Sequence, residues 1–600
     1  MPVLNKIKRA LRGEIKLTTA AREALRRSRV SLQQRKERAK LDKSEPLALT
    51  NAFARMSAAE LSEYFRGPRE AKFFEHSWPL LALDEQSFGR EIEWRRDPLS
   101  NYVWPLDYHR DIKLMRADGS DIRVLWELNR LGHFLPLACA YASTHDERYS
   151  AEFFAQLRSW HDQNPYGRGP NWTCAMEVAL RAINLLAAFE VFRQSPQMPV
   201  EFFLQLFQQH GAYIRRNLEF SYIATSNHYL SDVVGLLWLG LLLPELRDAA
   251  AWREFGLDQM LREMDKQVLP DGADFEASTG YHRFVTELFL YSFLLCRANS
   301  VEIKPRYWSR LQQMLSYIRA YLRPDGFAPL IGDTDGGQVL PFVRRRADDH
   351  AYLLDILRLE TQPVGSQAFP HAGTYIMRHR DLYLCFNASD IGVNGRGSHG
   401  HNDVLSIEVS AGGRAIIVDP GTYVYSADLA KRHEFRSTAY HSTVQIDGLE
   451  QNAIRVDTPF VIGNEAKPRV LEWKTSDDFD KVVAEHYGYP VTHRRTVTFD
   501  KRARVWVIDD EFFGDGEHVY EARFHFAPGL DVRVNGASVE AGGLVVALLN
   551  SDIEPVLENQ PVSRDYGQMN NAISACWRIE GRVSKLSWKV CFTGLQDLQD

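Results

Sequence analysis

Between residues 121 and about 345 the apolar positions recur at three- and four-residue steps. IRVLWELNRLGHFLPLACAYAS, NWTCAMEVALRAINLLAAFEVFR, HYLSDVVGLLWLGLLLPEL and YHRFVTELFLYSFLLCRAN each carry an apolar face at helical spacing. More polar stretches such as AEFFAQLRSWHDQ alternate with them. This alternation predicts helical hairpins with inner and outer members, an (α/α) toroid whose concave face carries the site; a plain helical bundle satisfies the same pattern. Near 346–375 the period drops to two. TYIMRHRDLYLCFNAS, KPRVLEWKTSD, RRTVTFDKRARVWVIDDEFFG, YEARFHFAPGLDVRVNG, GGLVVALLN and KLSWKVCFTG read as strands separated by turn residues. Many antiparallel strands over this length predict a β-sandwich of two large sheets. The class is therefore α+β multidomain. An N-terminal (α/α) toroid over 116–345 precedes a C-terminal antiparallel β-sandwich over 370–600, with a Pro- and Gly-bearing boundary, TQPVGSQAFPHAGT, between them.

Residues 1–115 fit neither pattern. The first 43 carry many Lys and Arg with apolar residues at helical spacing, which predicts a solvated basic helix or an arm that touches an anionic lipid or polymer. Residues 44–115 mix Pro, Trp and charge, as in EWRRDPLSNYVWPLDYHRDI, and read as an irregular lead-in.

Composition narrows the function classes. Six hundred residues with 45% apolar and 25% charged side chains describe a globular chain of two or more domains. A net charge of -6 gives no sign of nucleic-acid binding. The six cysteines have no CxxC spacing and lie in apolar settings, so they read as buried free thiols. No apolar run of ~18 residues suggests a membrane span, and the basic N-terminus lacks an export-type apolar core. Cytoplasm is the default expectation, with the periplasm left open should export be unconventional.

The chemistry concentrates between Gly395 and Thr443. His399 and His401 sit in a Gly-rich turn, Asp419 ends a strand at Asp-Pro-Gly, and His441 follows RSTAY. Alternate residues of an extended chain share a side, so His401, Asp419 and His441 lie at successive strand ends where a sheet could gather them. Two imidazoles and a carboxylate suit a zinc shell, which would leave His399 facing elsewhere. A polar loop with solvated imidazoles is the plainer reading of the same turn.

GSHGHND, VDPGTYVY and RSTAYHSTVQIDG, in that order, resemble the C-terminal half of the heparinase II/III-like polysaccharide lyases, relatives of heparinase II, heparinase III and the oligoalginate lyases. LWELNRLGHFLPLACAYAST, NPYGRGPNWTCAMEVALRAINLL, TSNHYLSD, DGADFEASTGYH and PLIGDTDGG extend the resemblance through the helical half. It implies β-elimination at a uronic acid, with an anionic polysaccharide or oligosaccharide as substrate. By position it makes His399 catalytic and assigns one structural zinc to His401, Asp419 and His441. It gives Asn227 and His228 the substrate carboxylate, and Tyr281 acid/base work. Arg436, His282 and Glu276 join them as candidates for holding substrate. Each has a bland reading: a helix cap for Asn227, a core phenol for Tyr281, a partner for a core acid for Arg436. Some members carry Glu where this chain has Ser231, which leaves the polymer unspecified. A homodimer is an open option.

Elimination removes the C-5 proton alpha to a carboxylate, so it needs the carboxylate neutralised, a base at C-5 and an acid at O-4. Two other classes stay in view. An inverting hydrolase would use two acids from Asp274, Glu276, Asp333 and Asp335. A non-catalytic glycan-binding protein would keep the fold without the acid/base set.

Overall fold

The computed structural model describes residues 16–38, 72–81, 83–359 and 365–592. Of the basic N-terminal stretch it describes the helix Leu17–Arg38; the expectations for 1–15 and for the first part of the lead-in, 39–71, lie outside the described residues.

Helices from Ile122 to Tyr321 follow one another with short connections. Inner helices Ala175–Phe192, Asn227–Leu242 and Thr279–Ala298 are buried almost throughout, whereas Glu147–Gln163, Val200–Arg216, Ala249–Gln267 and Pro305–Tyr321 bury one face. A helix apolar all round has to be enclosed, and a one-faced helix belongs outside it. This is the inner-and-outer arrangement of a toroid. Glycine sets one of the closest contacts. A Cβ on Gly256 would stand 2.6 Å from the backbone of Val233 and Leu237, and one on Gly240 would stand 2.3 Å from the Ala249 carbonyl. Those two glycines let the Asn227–Leu242 and Ala249–Gln267 helices press together.

The C-terminal part forms three antiparallel sheets, of eight, four and five strands, where the sequence suggested two. The extra one is a middle layer. In the strand Leu382–Asn387 every residue is buried. Tyr383 and Cys385 join the helical core while Leu382, Leu384 and Phe386 join the sandwich core. A strand buried on both faces loses the apolar-polar alternation by which a sheet face is read. This five-stranded sheet welds the two parts together. Elsewhere the alternation is clean: Thr492–Asp500 pairs with Val505–Phe513, with Val497, Phe499, Trp506 and Ile508 in the core.

The expected partition into helix and sheet needs three amendments. A short helix, Tyr352–Ile356, falls within the boundary, another, Leu429–Phe435, interrupts the sheet region, and the lead-in holds a small hairpin of Ser77–Pro79 with Glu85–Ser87. Among the described residues no helix is long and apolar enough to cross a membrane.

Candidate active site

A cleft of about 810 Å³ runs along the junction of helices and sandwich. Tyr281 and His399 meet there. Ser278 caps the helix Thr279–Ala298 by accepting the Tyr281 N–H at 3.0 Å, which seats Tyr281 in the first turn. His399 arrives from the Gly-rich turn of the other domain. The two rings stack with centroids 3.5 Å apart and 17° between planes. The Tyr281 hydroxyl stands 3.3 Å from the Tyr425 hydroxyl and 3.4 Å from Asp335. Burial, reinforced by Asp335 and Asp333, holds this phenol well above its ordinary range, so it stays protonated.

Asp333 is the hinge of the site. His399 Nδ1 lies 2.9 Å from one of its oxygens, His401 Nε2 lies 2.9 Å from the other, and Arg432 donates to both. Burial alone would raise this carboxyl; Arg432 and the two imidazoles overcome it and hold it far below the usual range. Gly332 makes the approach possible. Its φ is +67°, and a Cβ there would lie 2.5 Å from the Ala277 carbonyl and 2.8 Å from that of His399.

His228 lines the cleft, with Nδ1 3.0 Å from Glu219. Burial would lower its pKa, but the Glu219 carboxylate, with Glu276 and Glu177 beyond it, raises it to about 9. The cleft therefore holds an imidazolium at neutral pH. Asn227, beside it in the chain, is placed differently from expectation. It is fully buried, its backbone N–H and side-chain amide donating to Glu276 at 2.6 and 2.7 Å.

Three residues expected to touch substrate do not line the cleft. Arg436 is buried and donates to the carbonyls of Pro459, Thr458 and Val461, so it braces the loop that forms one cleft wall. Arg432, one helical turn earlier, takes the acid. His282 is a core histidine bonded to Asp274 N and the Met314 carbonyl, and burial lowers it to about 4. Glu276 is sealed behind Asn227, 3.4 Å from His399 Nε2, where it orients both. Of the four acids a hydrolase would draw on, Asp335 alone lines the cleft, and Arg123 holds it at 2.8 Å. Tyr425 and Arg432 were not singled out from sequence; Tyr425 lies inside the VDPGTYVY motif, six residues past Asp419.

His401, Asp419 and His441 each bring a ligand atom within 4.8 Å of the others. His441 Nδ1 is 2.9 Å from Asp419, while His401 Nδ1 and His441 Nε2 are buried without a hydrogen-bond partner. Burial pushes the Asp419 carboxyl up to about 7. Two orphaned ring nitrogens and a carboxylate left short of positive charge fit a divalent cation, with Asp333 orienting His401 from behind.

The cleft mouth has one further wall. The helix Leu17–Arg38 lies against it, anchored by the buried Glu23, which accepts the Tyr222 N–H at 3.1 Å. Glu23 also draws in Arg26 and Arg27, whose side chains line the cleft.

Comparison with known proteins settles the ancestry. The profile described as heparinase II/III N-terminus matches residues 1–346, and that described as heparinase II/III-like, C-terminal, matches 361–585. The chain belongs to the heparinase II/III family. A heparin-sulfate lyase of Pedobacter heparinus is 27% identical over 459 residues, 72% of this chain and 66% of that protein. One from Bacteroides stercoris is 24% identical, covering 71% of this chain and 65% of its own. The aligned part thus spans just under two thirds of these relatives. A crystal structure of heparinase III superposes with a TM-score of 0.67 at 17% identity, covering 90% of both chains. At that identity the likeness establishes the toroid-plus-sandwich fold of the family.

Proposed function

We propose that this heparinase II/III-family chain is a polysaccharide lyase that cleaves a uronic-acid-containing polysaccharide by β-elimination, leaving an unsaturated uronate at the new non-reducing end. The observation that carries the reading is the Tyr281–His399 stack at the junction of the two domains, facing a cleft that also holds the His228 imidazolium. The imidazolium opposes the uronate carboxylate and makes the C-5 proton more acidic. Tyr281, kept protonated, gives its proton to the departing O-4. His399 takes the C-5 proton, with Asp333 fixing its ring. Asn227 acts through Glu276 to hold this end of the cleft in shape. The relatives are named for heparin sulfate; for this chain the class is a uronic-acid polymer.

His401, Asp419 and His441 are read as the zinc site. When bound, zinc would supply a fixed positive charge that ties three segments of the sandwich part together beneath the cleft.

The test is a panel of uronic-acid polymers followed by the ultraviolet absorbance of the unsaturated product. Release of that product by the wild type, and its loss by at least ~100-fold in Tyr281→Phe, is the expected result. Saturated products, or a Tyr281→Phe variant that turns over at a near-normal rate, would overturn the reading.

A further inference from the structure

Three elements converge in the cleft at His228, and two of the side chains they bring, Cys174 and Glu219, have no part in the scheme above. Cys174 immediately precedes the helix Ala175–Phe192, Glu219 lies in the connection after Val200–Arg216, and His228 is in the first turn of Asn227–Leu242. Cys174 Sγ is 3.5 Å from Glu219 Oε2 and 3.8 Å from His228 Nδ1, and that nitrogen is 3.0 Å from the same oxygen. Ligands of one tetrahedral zinc, bound at about 2.0–2.3 Å, stand about 3.3–3.6 Å apart. The trio therefore already has nearly the edges of such a tetrahedron, with one sulfur, one nitrogen and one oxygen donor. Glu219 is held for the purpose: its carboxylate accepts the Met176 N–H at 3.1 Å, and its own N–H donates to the buried Asp232 at 2.7 Å. Cys174 is buried, but the Glu219 and His228 side chains keep 30% and 38% of their surface exposed, so the missing fourth corner opens toward the cleft.

We infer that Cys174, Glu219 and His228 form a second site for a zinc-like divalent cation, whose open position receives an acidic group of the substrate. The cation would displace the protons of the thiol and of His228 Nδ1, leaving the remaining imidazole proton on Nε2. The positive charge proposed above for this wall would then come from a metal. This role at the substrate rests on the lyase reading; the existence of the site does not.

Cobalt(II) separates the two. Metal-stripped full-length protein, kept reduced, is titrated with cobalt(II) and, in parallel, with zinc. A thiolate-to-cobalt charge-transfer band in the near ultraviolet is expected from the wild type. It should vanish in Cys174→Ala, which should also bind one zinc fewer per chain. The His401, Asp419 and His441 set has no thiolate and cannot give that band. Glu219→Gln, which keeps the side chain's shape, should weaken the band without abolishing folding and serves as the second variant. Absence of the band in folded wild type, with equal zinc content in wild type and Cys174→Ala, would overturn the site and leave a hydrogen-bonded trio. Elimination activity surviving that outcome would leave the lyase reading intact. A cobalt band in a chain that releases no unsaturated product would uphold the site and remove only its proposed role.

Discussion

Tyr281→Phe deletes one oxygen and leaves a ring that still stacks on His399. The variant should fold, bind polymer and lose between roughly a hundred- and ten-thousand-fold in turnover, as removal of a positioned acid does. Rate measured at saturating substrate beside binding measured separately checks this. A second expectation concerns Glu190, which is buried beside Arg193 at 3.3 Å and raised by burial to about 7. A carboxyl raised on folding stabilises the native state fully below its unfolded value near 4.5, and that benefit is lost as pH rises through about 7. Glu190→Gln should therefore raise the melting temperature at pH 8, by at most about 3 kcal/mol in stability, and change little at pH 4. An equal shift at both pH values would contradict this. At this scale the sequence was informative where a residue sits in a motif whose backbone is constrained, as for Tyr281 after Ser278 and His399 between glycines. It was uninformative where direction matters. Arg432 and Arg436 lie four apart and both donate to the Pro459 carbonyl, yet only Arg432 also reaches Asp333, a difference the sequence does not carry. Burial of Asn227 behind its own backbone bond to Glu276 leaves no trace in composition.

Among the elements, the helix Leu17–Arg38 has the clearest consequence. It carries seven basic and two acidic residues, and it presents Arg26 and Arg27 to the cleft. Replacing both by Ala should raise KM for a polyanionic substrate by a factor of roughly 5 to 30, since exposed charge contacts contribute on the order of 0.5–1 kcal/mol each. It should leave kcat nearly unchanged and flatten the dependence of KM on salt. Loss of kcat with constant KM would place these arginines elsewhere in the scheme. The basic helix was visible in its charges, but not its resting place, because a solvated face and a face over a cleft have the same periodicity. The middle sheet was hidden for the opposite reason. Its strands are apolar on both sides, so nothing in them distinguishes the helical core from the sandwich core.

For the whole molecule the order of helix-rich and strand-rich parts was legible from period alone, whereas their docking depends on pairs far apart in the chain. Asp333 is one such link, since its partners His399, His401 and Arg432 all come from the sandwich. Asp333→Asn would leave Arg432 buried without its counter-charge and should cost about 3–5 kcal/mol of stability. Denaturant unfolding of wild type and variant measures it; a change within error would show that the link is not structural. Metal removal is a second global test. A chelator should lower the melting temperature, zinc should restore it, and His401→Ala should bind one zinc fewer per chain and respond less to its removal. Unaltered zinc in His401→Ala would dismiss the assignment of this site.

For the lyase activity proposed above, the arginine-bearing helix at the mouth also bears on when degradation stops. A polymer that lies along the cleft from His228 to Arg26 and Arg27 is held by charges at two places, and every cut shortens the piece that can bridge them. Once fragments fail to reach the helix, they depart faster than they are recut. The length of the final oligosaccharides should then be set by the distance from Tyr281 to that helix, and should lengthen as ionic strength rises.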